Sequence, residues 1–357
     1  MITNSTVRRF IIFSLLALFF SWPTSSIAAE EKIIIADNGA GGELIEHTLP
    51  AVTLAAAEGV DYIELHVVMT SDNQLIVFQD LTLNRLTDAA ELFPGRSRED
   101  GGYYVIDFSI KEIRQMRLKG AAVTDKPSIS LAIPTLGEEL SLIRSLESIL
   151  KKSIGISLEI RDSAFHTDSG RDISSASLEI LMGHGYIDTS SKLFIQSFDP
   201  DQLQRIYSQL MPQKEMHLPL IQLIGSNDDL TTQDGWDWLY SNSGLKILSS
   251  YAAAIGLPAD TIVDSEGNPL LTDYINTAHD YGMKVFAYSL NDQSEDFPLF
   301  ADSFRSLLNV YLQKAGIDGF YTDAFSEAKI IVDDFLSPVL APEETEIYDI
   351  YEEDTSL

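Results

Sequence analysis

The sequence predicts a parallel (β/α)8 barrel, a TIM barrel, with an insertion after its third strand. Short apolar, β-branched runs alternate with helical patterns, and eight such runs can be drawn. The stretch carrying them spans roughly 300 residues, enough for one large domain, and 45% of the chain is hydrophobic, as a globular core requires. Strand and helix alternating within a single domain point to a parallel sheet, and eight units point to its closure. A doubly wound open sheet is the competing arrangement on pattern alone.

The chain begins with Arg8 and Arg9, then an apolar run from Phe10 to Phe20, then Ser26, Ile27 and Ala28. That is the layout of a secretory signal peptide over 1–28, leaving a soluble protein exported to the periplasm or beyond. The run is shorter than the roughly twenty residues a bilayer span needs, so stable membrane insertion after cleavage is not expected, although a retained anchor is the alternative. The barrel is assigned to 29–336. Its strands are read at Ile33 to Ala36, Tyr62 to Met69, Leu75 to Phe78, Gly155 to Ile160, Leu193 to Ser197, His217 to Ile224, Lys284 to Tyr288 and Gly319 to Thr322. Helices are read at Thr48 to Glu58, Leu136 to Leu150, Ser174 to Met182, Pro200 to Gln209, Leu270 to Tyr281 and Ser303 to Lys314. Thr48 is placed to cap the first of them, with Pro50 in its opening turn and Gly59 at its stop. The polar stretch 83–127 is an insertion on a βα loop and should lie over the mouth, where barrel active sites are built. From Ser337 to Leu357 the chain carries acids and no Lys or Arg, a solvated, disordered tail.

Composition excludes several classes of function. A formal net charge of -30 makes nucleic acid an unsuitable partner, because binding it needs a basic surface. An anionic small molecule can still bind where a metal or local cations reverse the field. With no cysteine, a thiol nucleophile, a disulfide and a Cys-ligated metal are ruled out.

Chemistry-bearing residues collect at the strand ends. Asp37 and Asn38 follow the first strand and lead into Glu46, His47 and Thr48; Glu64 and His66 lie on the second strand, Gln79 after the third, Glu159 and Arg161 on the fourth. With Asn84 to Asp88, the run Gln196, Ser197, Phe198, Asp199, and the closing Gly319 to Asp323, these stretches resemble the glycerophosphodiester phosphodiesterase family over nearly the whole mature chain. In that family the first strand ends in His-Arg-Gly and is followed by a Pro-Glu-Asn/His-Thr turn. Asp37 and Gln79 stand where it carries two histidines, and Asn38 where it carries arginine.

The resemblance implies calcium- or magnesium-dependent hydrolysis of glycerophosphodiesters to an alcohol and glycerol 3-phosphate, with the histidines as general acid and base. Carried over by position, Glu46, Glu64, His66 and Glu159 are its metal ligands, and Arg161 replaces its phosphate-binding lysine. Three carboxylates suit calcium or magnesium, while imidazole from His66 tilts the site toward a transition metal, or else His66 simply pairs with a carboxylate. His47 is expected to cap or pack at the helix start. Asp199 and Asp323 are read as bracing caps.

Gln79 has no titratable proton, and Asn38 offers a neutral amide in place of a bidentate guanidinium. A carboxyl with a reference pKa of about 3.9 replaces imidazole only in part. Three readings follow: a noncatalytic member that binds a small phosphorylated or polar ligand; a working phosphodiesterase using a metal-bound hydroxide with Asp37 as base; and a structural envelope protein closed by the insertion. Asp37, Glu64, Gln79 and Glu159 are expected together at the C-terminal ends of the first four strands.

Overall fold

The structure is a computed structural model that describes residues 31–119, 131–225, 236–291 and 297–336. The expected signal peptide, the tail, and 120–127 of the insertion lie outside the described residues. Among the described residues nine strands form one sheet: β1 (Ile33–Ala36), β2 (Tyr62–Met69), β3 (Leu75–Val77), β4 (Gly155–Ile160), β5 (Leu193–Ser197), β6 (Leu220–Leu223), β7 (Ala254–Pro258), β8 (Lys284–Tyr288) and β9 (Gly319–Thr322). Their order is β1-β9-β8-β7-β6-β5-β4-β2-β3, with β1 also paired to β2, so eight parallel strands close into a ring.

Two elements depart from the sequence reading. The run after Gln74 is not a barrel strand; β3 doubles back antiparallel on β2, with Val67 opposite Val77 and Met69 opposite Leu75. Gln79 therefore reaches the mouth from outside the ring rather than from the end of a third barrel strand. The eighth barrel strand is β7, Ala-Ile-Gly-Leu-Pro, whose glycine and proline are strand breakers by propensity. Parallel pairing to β6 and β8 on both sides overrides that preference.

Alternation along each strand sorts the side chains into two layers. Ile34, Ile63, Leu65, Ile156, Leu158 and Ile195 belong to the main core, where the strands meet the surrounding helices. Ile35, Phe194, Ile221, Phe286 and Tyr321 form a separate cluster filling the barrel interior. Space there is tight: a Cβ added at Gly319 would sit 2.4 Å from the carbonyl oxygen of Ile33 on the neighbouring strand. Because the obstruction is backbone, Gly319→Ala is expected to destabilise the fold by roughly 1–3 kcal/mol, seen as a lower urea midpoint at unchanged slope. An unshifted midpoint would show that β1 and β9 can separate freely.

The helix Leu49–Glu58 starts at Thr48, whose Oγ1 accepts from the Ala51 N–H, and ends at Gly59. Leu136–Leu150 opens on a capping box between Thr135 and Glu138. Asp199 caps Pro200–Arg205, accepting from the Asp201 and Gln202 N–H groups at 3.0 Å each. That helix runs on through a π turn, Ile206–Leu210, to Met211–Gln213. The described part of the insertion builds a core of its own, in which Leu83, Phe108 and Ile113 pack on Val68, Ile76 and Phe78 of the β2–β3 hairpin and its end. Among the described residues no helix is long and apolar enough to cross a membrane.

Candidate functional site

Inward-facing positions of β2, β4, β5 and β9 carry polar groups instead of hydrocarbon. Register places Glu64 opposite Ser157, His66 opposite Glu159, and Glu159 opposite Gln196. All are buried, so each polar atom needs a partner. Gln196 Nε2 donates to Glu64 Oε1 at 2.7 Å, and its Oε1 accepts from Ser157 Oγ and Tyr321 Oη, both at 2.5 Å. The amide thereby fixes one carboxylate oxygen in position.

Above this amide the charges alternate. His66 Nε2 lies 3.1 Å from Glu64 Oε1 and 3.3 Å from Glu159 Oε2, while Arg161 Nη1 donates to Glu159 Oε1 at 2.9 Å. Burial by itself would lower the His66 pKa, but the Glu159 and Glu64 carboxylates outweigh it and hold it above the usual histidine value. Burial likewise pushes Glu64 up, and the His66 charge and hydrogen bond bring it down below the ordinary glutamate range. Asp37 goes the other way. Burial first, then the Glu64 charge and the hydrogen bond to Glu64, raise its carboxyl well above the usual aspartate value, with Asp323 and Glu46 adding to the effect.

One donor atom each from Glu64, His66 and Glu159 lie within 4.8 Å of one another. Ligand atoms around a single cation with bonds of about 2.1 Å sit roughly 3.0–3.4 Å apart, so the observed spacings of the imidazole fit a common ion. Two carboxylates and one imidazole are a donor set for a borderline divalent metal.

The remaining sequence-derived candidates fall around this centre. Asn38, at φ +52°, donates its backbone N–H to Glu64 Oε2 at 3.4 Å. Glu46 is outside the triad and is clamped by Arg85, whose Nη1 and Nη2 donate to its two oxygens at 3.0 and 2.5 Å. Arg85 also donates to Asp80 at 2.8 Å and to Gln79 Oε1 at 3.2 Å. One guanidinium thus ties the loop after β1 to the segment after β3. Gln79 and Glu46 gather at the rim, and Asp37, Glu64, His66, Glu159 and Arg161 at the centre.

Sequence reasoning passed over Arg85, Gln196 and Tyr321 as working parts, although each lies in a stretch it had matched. It also gave His47 a packing role. His47 does pack: it is buried, its ring centroid is 4.7 Å from that of His66, and among the described residues neither ring nitrogen has a hydrogen-bond partner. Burial, then the neighbouring His66, lowers its pKa well below the usual value.

The sequence profile described as the glycerophosphoryl diester phosphodiesterase family matches residues 38–327. A glycerophosphodiester phosphodiesterase from Treponema pallidum is 31% identical over 324 residues, covering 83% of this chain and 90% of its own. One from Haemophilus influenzae is 32% identical over 320 residues, covering 82% and 87%. An Oleispira antarctica phosphodiesterase, solved in complex with the product sn-glycerol-3-phosphate, superposes with a TM-score of 0.60 at 20% identity, over 85% of this chain and 97% of that one.

Proposed function

Because the chain belongs to the glycerophosphodiester phosphodiesterase family, we propose that it binds a glycerophosphodiester at the barrel mouth and hydrolyses it negligibly. The observation that carries this reading is Gln79. It occupies the position of one of the family's two histidines, has no titratable proton, and accepts a hydrogen bond from Arg85. Asn38 adds to it, placing an amide where a guanidinium would hold phosphate oxygens. Each lost acid or base partner is worth about 10²–10⁴-fold, and a lost charge stabiliser about 10²–10³-fold, though such losses do not multiply simply.

Glu64, His66 and Glu159 would hold a divalent ion, which when bound would draw phosphoryl oxygens toward it. Arg161 supplies positive charge beside Glu159, and the Gln196 amide holds Glu64 in place. In the competing reading Asp37 serves as base; burial and the facing Glu64 carboxylate raise its pKa well above the usual aspartate value. We place the protein outside the cytoplasm on the leader-like pattern of its first 28 residues.

Phosphorus NMR tests this reading. The natural protein, incubated with glycerophosphocholine and calcium, magnesium, manganese or zinc, is expected to release no glycerol 3-phosphate above the protein-free rate. Asp37→His, Asn38→Arg, Gln79→His and His66→Asp combined should give metal-dependent turnover with a bell-shaped pH profile, since two imidazoles would again titrate near neutrality. Robust turnover by the natural protein, abolished by Asp37→Ala, would overturn the reading.

A further inference from the structure

His47 stands one residue before Thr48, the cap of the helix Leu49–Glu58. Its side chain is 2% exposed, and among the described residues neither ring nitrogen has a hydrogen-bond partner. Buried polar groups are nearly always paired, so a buried imidazole with both nitrogens unpaired calls for a water, an ion or a chemical role. The ring lies against His66, centroids 4.7 Å apart and planes tilted by 54°.

The backbone ties that ring to the centre. His47 has φ +53° and donates its N–H to the Asn38 carbonyl at 3.0 Å. Asn38, itself at φ +52°, donates its own N–H to Glu64 Oε2 at 3.4 Å. Left-handed residues other than glycine persist where their surroundings over-determine them, and here both lie on one loop leading to Glu64.

The spacing of the two rings suits a shared ion. Two imidazoles bonded to one ion at about 2.1 Å, at an angle of roughly 90–110°, hold their centroids roughly 4.5–5.2 Å apart. The observed 4.7 Å falls within that interval. His47 is outside the three donors that already lie within 4.8 Å of one another, so its ring has to turn to join them. A turn about the Cβ–Cγ bond moves the nitrogens and leaves the centroid in place.

The carboxylates point to the same class of ion. Glu64 Oε1 accepts from Gln196 and Glu159 Oε1 from Arg161, so bidentate binding by either would break a hydrogen bond. Calcium collects about six to eight oxygen ligands, far more than two monodentate carboxylates supply. Two imidazoles with two carboxylate oxygens form a mixed four-donor set of the kind zinc takes. We propose that His47 is a fourth protein ligand of the centre formed by Glu64, His66 and Glu159, making it a site for a first-row transition ion in place of calcium or magnesium. The assignment rests on the metal-binding reading of that centre and adds to it a residue and a class of ion.

Side-chain ¹⁵N NMR of histidine-labelled natural protein, recorded before and after one equivalent of zinc, tests it. Of the six histidines, two rings are expected to take the shift of a coordinated nitrogen. His47→Asn should remove one of the two shifted signals and His66→Asp the other; asparagine tolerates a left-handed backbone at position 47. His47→Asn should also weaken zinc by more than about tenfold, since even residues behind a ligand are worth that much. One shifted ring, absent in His66→Asp, would overturn the role of His47 and leave the three-residue centre standing. Two shifted rings that both survive His47→Asn would overturn it as well. No shifted ring, with no zinc retained in equilibrium dialysis, would overturn the metal centre itself and the fourth ligand with it. The count is made on the natural protein, so it decides the matter even if His47→Asn does not fold.

Discussion

His66→Asp is expected to melt roughly 5–10 °C below the natural protein in chelator and to recover most of that loss when calcium is added. The imidazole lies 3.1 Å from Glu64 and 3.3 Å from Glu159, and both carboxylates are buried. With Asp in its place, three carboxylates would face one another with Arg161 as the nearby cation. Like charges that close raise one another's pKa or separate the strands, and either outcome lowers stability at neutral pH. A hard dication would reverse the sign of the interaction, and three oxygen donors suit calcium. The natural protein should respond little to calcium and more to manganese or zinc, because one donor is imidazole. Chelator-controlled melts read all of this. A variant as stable in chelator as the natural chain would mean that the charge row contributes nothing to holding β2 against β4.

Glu139→Met is expected to raise the melting temperature at pH 8 by on the order of 5–10 °C, while changing little at pH 4. Glu139 is fully buried in the helix Leu136–Leu150, and among the described residues neither carboxylate oxygen has a hydrogen-bond partner. Burial, with a contribution from Glu138, pushes its pKa up to about 8 from an ordinary 4.5. The native state therefore keeps a proton that the unfolded chain releases above about pH 4.5. Stability from this group is whole below that pH, falls as pH rises, and is lost by about pH 8, a swing of several kcal/mol. Methionine fills the same space without a proton to lose. His66, also raised, gives a slope of the same sign at higher pH, so the variant should flatten the profile mainly between pH 5 and 8. An unchanged slope would show that water or a shifted helix already solvates Glu139.

Most of the barrel was legible because buried parallel strands are short apolar runs and little else in the sequence looks like them. Leu75 to Phe78 reads the same way, yet it lies outside the ring: Leu75 and Val77 are buried in the main core, Ile76 and Phe78 in the insertion's own. Pattern reports burial and is silent on which neighbour provides it. Ala254–Pro258 was illegible for the opposite reason, since its glycine and proline are tolerated only with a partner strand on each side. At the site, the matched motifs brought in Asp37, Glu64, His66, Glu159 and Arg161, because strand periodicity aims them inward together. Gln79 and Glu46 needed Arg85, which meets them across 6 and 39 residues of sequence.

The insertion's separate core bears on how stability is distributed over the molecule. Leu83, Phe108 and Ile113 pack on one hairpin and its end, apart from the main core. A separately packed unit of this kind is expected to loosen sub-globally while the ring stays closed. Amide exchange in that small core is therefore expected to be faster than in the barrel strands, and changes within it to alter that local exchange without moving the global stability of the barrel.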